Sequence, residues 1–92
     1  MKHKTIDMEI KIFGIPEPKI TQIILNAETA AADFEEQPEV VFSDNLAEMS
    51  ASGIHHMPAV TVNGKLRSVG RIPSVYEFTN WINEDVSELV AA

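Results

Sequence analysis

The spacing of apolar residues changes at Gly14, and this change constrains the fold more than any other feature of the sequence. In residues 8–13, MEIKIF, apolar and polar residues alternate, which is typical of a strand. Pro18 suits the first turn of a helix, because the missing N–H costs nothing there. Apolar residues then recur at helical spacing, namely Ile20, Ile23, Ile24, Ala27 and Ala31. We therefore predict a first strand and then a helix from about Glu17 to Asp33.

The middle of the chain predicts a short strand and a short helix. Pro38 breaks the chain, and VVF at 40–42 forms an apolar strand. The segment SDNLAEM then opens a helix for which Asp44 or Asn45 is the expected N-cap. Gly53 ends this helix.

The last third of the chain predicts a hairpin and a long helix. Strands at 58–62 and 65–70 flank Asn63-Gly64, the strongest hairpin signal in the sequence. In the second of these strands Lys65 and Arg67 are expected to guard an exposed sheet edge. Ser74 and Glu77 form a capping box that begins the helix. One face of this helix is apolar and consists of Val75, Phe78, Ile82 and Val86.

The resulting order of elements, β-α-β-α-β-β-α, limits the architecture. A helix joins the first two strands, so they should be parallel with a right-handed crossover. The last two strands are antiparallel. A mixed four-stranded sheet with helices on both faces satisfies this order, which gives an α/β fold. We expect one domain over 1–92, with a loose tail at 1–7 and a frayed end at 87–92.

Composition excludes several function classes. The formal net charge of −7, from 14 acidic and 7 basic residues, argues against a nucleic-acid partner, which needs cations against phosphates. The chain has no cysteine, so thiolate catalysis, disulfides and cysteine-bound zinc are excluded. No apolar run has the length of a membrane span, and the N-terminus lacks the apolar block of a signal peptide. We therefore expect no membrane partner and a cytoplasmic location.

Two segments resemble the small thioredoxin-like proteins called redox-active disulfide protein 2. They are IKIFG followed by a helix, and GIHHMPAVTVNGKLRSVGRIPS at 53–74. The resemblance covers about residues 8–83 and implies the minimal thioredoxin fold, with the strands ordered second, first, third, fourth. That family carries C-P-x-C or a similar motif after the glycine turn. Aligned without gaps, its cysteines fall at Glu17 and Ile20, so the proline remains and both thiols are missing.

The resemblance also implies what this turn does without thiols. The N-terminus of a helix carries partial positive charge, and a carboxylate at Glu17 would lie in that field. This carboxylate either complements the helix dipole or stands in a binding cleft. Pro58 matches the cis-proline of the family. A cis bond there either shapes the loop or exposes the Met57 backbone to an extended peptide, as in strand addition.

Two other functions remain open at this point. Glu17 with His55 or His56 could bind a metal ion or move a proton. An apolar patch of Ile15, Ile20 and Met57 could instead form a homodimer.

Our leading interpretation is a redox-inactive thioredoxin-fold protein that binds a protein or peptide partner. We expect no cofactor and no catalytic residue. The expected binding cleft consists of Ile15, Pro16, Glu17, Pro18, Ile20, Met57, Pro58, Gly70 and Arg71.

Overall fold

The computed structural model describes residues 8–91, with side chains as far as Val86. The elements are β1 Glu9–Phe13, α1 Pro18–Ala31, β2 Glu39–Ser43, α2 Leu46–Ala51, β3 Ala59–Val62, β4 Lys65–Val69 and α3 Val75–Ala91. The predicted α/β order is confirmed. The loose tail expected at 1–7 and the last residue of the frayed end expected at 87–92 lie outside the described residues. Over residues 8–91, no helix is long and apolar enough to cross a membrane.

The four strands form one mixed sheet in the order β2-β1-β3-β4. Strands β1 and β2 are parallel, whereas β1 with β3 and β3 with β4 are antiparallel. The strand directions were expected from the crossover helix and the hairpin, and the strand order from the family resemblance. The expected hairpin turn is also confirmed, because Asn63 (φ 51°) and Gly64 (φ 83°) both adopt the positive φ angles of a two-residue turn.

Helices cover both faces of the sheet. On one face α1 and α3 pack against β1 and β3 in the main core, whose most enclosed members include Ile10, Ile12, Ile23, Val60, Val62, Phe78 and Ile82. On the other face the short helix α2 encloses a smaller cluster of Phe13, Met49, Ile54 and Ala59. The alternation of β1 explains this division, because its successive side chains point to opposite faces.

Helix α1 is shorter than the sequence predicted, whereas one of the two expected N-caps of α2 is confirmed. Helix α1 begins at Pro18 and ends at Ala31, two residues before the predicted Asp33. There the Asp33 N–H donates to the Ala30 carbonyl (3.2 Å), a tighter i to i−3 bond that ends the α-helical pattern. In α2 the N-cap is Asn45, whose side-chain oxygen accepts from the Glu48 N–H (3.0 Å).

The cations of β4 lie on an edge strand, as predicted, and they also contact an acidic residue of α3. Arg67 donates to the buried Asp85 carboxylate of α3 (3.2 Å), and Lys65 lies 3.3 Å from the same carboxylate. Asn63 also donates to Asp85, at 3.2 Å. The irregular register at Val60/Thr61 gives β4 an extra residue there, and a bulge of this kind changes which face a side chain points to. The hairpin is thereby held against α3.

Candidate functional site

The glycine turn after β1, the first turn of α1 and Pro58 meet at one place. The Gly14 N–H donates to the Ser43 carbonyl (3.1 Å), which holds the turn against the end of β2. A Cβ atom on Gly14 would lie 2.5 Å from Ile20 Cδ1 and 3.8 Å from Pro58 Cβ. No side chain fits between these groups, so glycine allows their close approach.

Glu17 occupies the N-cap position of α1. Its backbone is extended, and its carbonyl accepts from the N–H groups of Ile20 (3.0 Å) and Thr21 (3.2 Å). Its side chain makes no capping hydrogen bond and is exposed to solvent. The helix therefore begins through the Glu17 backbone and Pro18, and the carboxylate is left facing water beside the helix N-terminus. Its stabilisation by the helix dipole stays a prediction.

The loop before β3 presents its backbone beside this turn. The Met57–Pro58 peptide bond is cis. The Pro58 carbonyl accepts from the Gly70 N–H (2.7 Å), which joins the loop to the end of β4. Within residues 8–91 the N–H and C=O of Met57 have no hydrogen-bond partner, and its side chain is 43 % exposed. Met57 thus offers a free donor, a free acceptor and apolar surface.

Arg71 forms the opposite side of the site and is already engaged. Its guanidinium makes two contacts with the Glu77 carboxylate, at 2.9 Å and 2.8 Å. The same carboxylate accepts from the Ser74 N–H (3.0 Å), and the Ser74 hydroxyl accepts from the Glu77 N–H (3.1 Å), which confirms the predicted capping box. The Arg71 bond, followed by the Ser74 N–H, lowers the pKa of Glu77 to about 2, and the Glu77 bond raises the pKa of Arg71.

The histidines and Glu17 do not assemble into a metal centre. His55 and His56 are both exposed, and no ion pair or hydrogen bond joins either of them to Glu17 in the described structure. Among the described side chains no group of three His, Asp or Glu residues is placed to hold a metal ion. A larger metal centre built from these residues is therefore absent from the described side chains, and the pairing of Glu17 with one histidine stays a prediction.

Two members of the predicted cleft prove to be buried. Ile20 is only 3 % exposed and belongs to the main core, and Pro58 is buried beneath the Gly14 turn. The helical stripe that predicted α1 points Ile20 inward, so it supports the cleft from below and gives a partner no surface. The exposed members are Ile15, Pro16, Glu17, Pro18, Met57, Gly70 and Arg71.

Two exposed apolar side chains that follow Arg71 in the chain were missed by the sequence reasoning. Ile72 follows Arg71 and is 40 % exposed, and Tyr76 in the first turn of α3 is 74 % exposed. The signal for Tyr76 was present in the sequence, because it lies off the helical stripe formed by Val75, Phe78 and Ile82. Ile72 carried no such signal. We use the name cleft rim for the three exposed apolar residues Ile15, Met57 and Ile72, which belong to the predicted cleft or directly follow it in the chain.

Comparisons with known proteins agree with this geometry. No curated protein matches the chain. A family model described as a thioredoxin domain matches residues 8–83, which include the whole sheet, α1, α2 and about half of α3. The chain therefore belongs to the thioredoxin-domain family, and it is a member that carries no cysteine.

Proposed function

We propose that the chain binds an extended segment of a protein partner at the cleft between the α1 turn and the Met57 loop. Within the thioredoxin-domain family we place it in the redox-active disulfide protein 2 type. The support for this placement is the segment at 53–74, which runs through the Met57–Pro58 bond, the Asn63-Gly64 turn and the capping box. On this proposal the cleft binds a peptide segment but does not carry out thiol–disulfide exchange.

The observation that carries this proposal is the free backbone of Met57. An unpaired N–H and C=O beside a sheet are the groups that an added strand uses. Here the free groups lie next to the exposed side chains of Met57 and, across the Gly14 turn, Ile15 (51 % exposed). Backbone bonds would supply affinity, and the cleft rim would select an apolar side chain of the partner.

The charges around the cleft limit the kind of partner. Glu17 leaves a carboxylate in water at the helix start, whereas the charge of Arg71 is neutralised by Glu77. The chain as a whole carries a formal charge of −7. An acidic segment would be repelled during its approach, so the proposed ligand is an extended neutral or basic segment with at least one apolar side chain.

Thiol–disulfide exchange has no place in this function. The reaction begins with attack by a thiolate, and the chain contains no cysteine. At the two positions where the family motif aligns, the structure has an exposed carboxylate at Glu17 and a core side chain at Ile20. Neither group can form or exchange a disulfide.

Selection from a random peptide display library against the immobilised protein tests the proposal. We expect enriched peptides to lose at least about tenfold in affinity for an Ile15→Ser/Met57→Ser variant, because apolar anchors dominate such interfaces. Leu66→Ser is the matched control. Leu66 is 50 % exposed, like Ile15, but lies beside the hairpin turn, at the far end of β4 from Gly70.

A second measurement separates strand addition from simple apolar contact. Methylation of single backbone nitrogens of an enriched peptide should abolish binding at the position that donates to Met57 and leave the neighbouring positions unaffected. Peptides that bind the double variant and the wild type equally well would contradict the proposed cleft. The alternative homodimer through Ile15, Ile20 and Met57 has lost one member, since Ile20 is buried.

A further inference from the structure

Strand β2 leaves one edge of the sheet open in the part of the chain that the structure describes. The Glu39 N–H donates to Met8 (2.8 Å), and the Ser43 carbonyl accepts from Gly14 (3.1 Å), so residues 39, 41 and 43 direct their backbone groups toward β1. In a parallel pair the intervening residues direct theirs away. The N–H and C=O groups of Val40 and Phe42 therefore point outward from the sheet.

Within residues 8–91 this edge lacks the features that usually prevent strands from pairing. Natural edges are blunted by Lys, by Pro within the strand, by bulges or by covering elements. The β4 edge has a bulge and two cations. Strand β2, EVVFS, has one charge at its first residue, and three apolar residues follow it. The Phe42 side chain is 36 % exposed.

We infer that β2 pairs with β2 of a second copy of this chain, antiparallel and centred on Val41. In this register Val40 lies opposite Phe42 of the second copy, and Phe42 lies opposite Val40. Both are outward-facing residues, so each of these pairs exchanges two N–H···O bonds. Val41 then lies opposite Val41 of the second copy, as the non-hydrogen-bonded pair on the two-fold axis. The two sheets become one continuous sheet.

The sequence of β2 favours a second copy and this register. The pairing places apolar residues opposite apolar residues and Glu39 opposite Ser43, so no like charges face each other. A shift that centres the axis on Glu39 would oppose two carboxylates. Pro38, which precedes the strand, has no N–H to extend the pairing. A self-complementary strand of this kind suits the isologous contact of a two-fold dimer.

The dimer should be weak and should tighten with salt. One short pair of strands buries little surface, which places the contact among transient interfaces. Both copies carry a formal charge of −7, and added salt screens the repulsion between them. This salt dependence is opposite to that of a contact made by charge attraction.

Cross-linking by single introduced cysteines tests the register, because the natural chain has no thiol. Val41→Cys puts two sulfur atoms on residues whose Cα atoms would be about 4.5 Å apart, within the span of a disulfide. Glu39→Cys is the matched control on the same strand and face. Its two copies would be offset by four residues, or about 13 Å.

The two variants are oxidised with diamide, which takes up the two hydrogen atoms that the thiols lose. We expect the disulfide-linked dimer of Val41→Cys to form at least about tenfold faster than that of Glu39→Cys, because only the first meets the geometry of the bond. Equal rates would overturn the proposed register.

Charged variants provide a second test that does not depend on cysteine. Val41→Lys and Val41→Glu should each sediment as monomers, because like charges then face each other on the axis. An equimolar mixture should form heterodimers. Leu66→Ser, on β4 at the opposite edge of the sheet, should dimerise like the wild type. Circular dichroism identifies any variant that fails to fold. A wild type that remains monomeric up to about 1 mM in high salt would overturn the proposal.

Discussion

Replacement of Glu77 by Gln isolates the charge of the capping box at the start of α3. Gln keeps a side-chain oxygen that can accept from the Ser74 N–H, as Glu77 does at 3.0 Å. It cannot form the charged contact with Arg71, whose guanidinium lies 2.8 Å and 2.9 Å from the two carboxylate oxygens. The variant therefore removes the ion pair and leaves the cap in place.

The size of the effect follows from the pKa of Glu77. Arg71 and the Ser74 N–H lower this pKa from 4.5 to about 2. Taken alone, such a fall would be worth about 3 kcal/mol of stability. The Glu77 side chain is 34 % exposed and Arg71 is 50 % exposed, so solvent screens most of this interaction, and we expect about 1 kcal/mol.

The effect should disappear in acid. The folded pKa of Glu77 lies below the unfolded one, so its charge stabilises the fold fully above about pH 4.5. That contribution is lost as the pH falls through about 2, where half of the wild-type carboxyl groups are already protonated. Glu77→Gln should thus be less stable than the wild type by about 1 kcal/mol at neutral pH and nearly equal to it at about pH 2.

Urea unfolding at several pH values measures this difference. The fluorescence of Trp81, the only tryptophan, reports on the core because its ring lies 5.3 Å from that of Phe78, edge to face. Glu84→Gln is the control, since Glu84 pairs with Arg67 but is 58 % exposed, and it should cost less than about 0.5 kcal/mol. A Glu77→Gln deficit that is the same at neutral and acid pH would refute the assignment of this stability to the charge.

Four further outcomes are expected. Gly14→Ala should destabilise the fold by about 1–3 kcal/mol in urea unfolding, because the new Cβ would lie 2.5 Å from Ile20 Cδ1. Ile20→Val removes that atom, so the double variant should recover part of the lost free energy of unfolding. If the two substitutions destabilise the fold additively, the proposed clash is contradicted. Phe78→Ala should cost about 3–5 kcal/mol in the same assay, since the ring is fully buried. Lys11 donates to Glu48 and lowers its pKa, so Lys11→Met should raise that pKa in an NMR titration. The wild type should show no turnover in insulin reduction above a boiled control, because exchange requires a thiolate.

The parts of the fold that follow from local rules could be predicted from the sequence. The hairpin turn at Asn63-Gly64 needs only two residues that tolerate positive φ, and both have it. The capping box depends on residues three positions apart. The sheet order followed from the crossover helix, the hairpin and the family resemblance. None of these conclusions required knowledge of a contact between distant side chains.

The parts that depend on distant contacts could not be predicted. The position of Arg67 and Lys65 on an edge strand was predicted, but their contacts with Asp85, about twenty residues further along the chain, were not. A carboxylate in a helical stripe does not reveal which strand it will meet. Similarly, the exposure of Ile72 depends on how the segment after β4 lies against Pro58, which no spacing rule encodes.

The burial of Ile20 shows how the site retains its shape without thiols. In the resemblance this residue stands where the second cysteine of the family motif lies, and here its side chain fills the space beside Gly14 and Pro58. Burial of an aliphatic side chain of this size stabilises a fold by about 1.5–3 kcal/mol. The turn is therefore held by packing below it, by the Gly14 bond to Ser43 and by the Pro58 bond to Gly70. Because none of these contacts involves Ile15 or the Met57 backbone, the surface above the turn remains available to a partner.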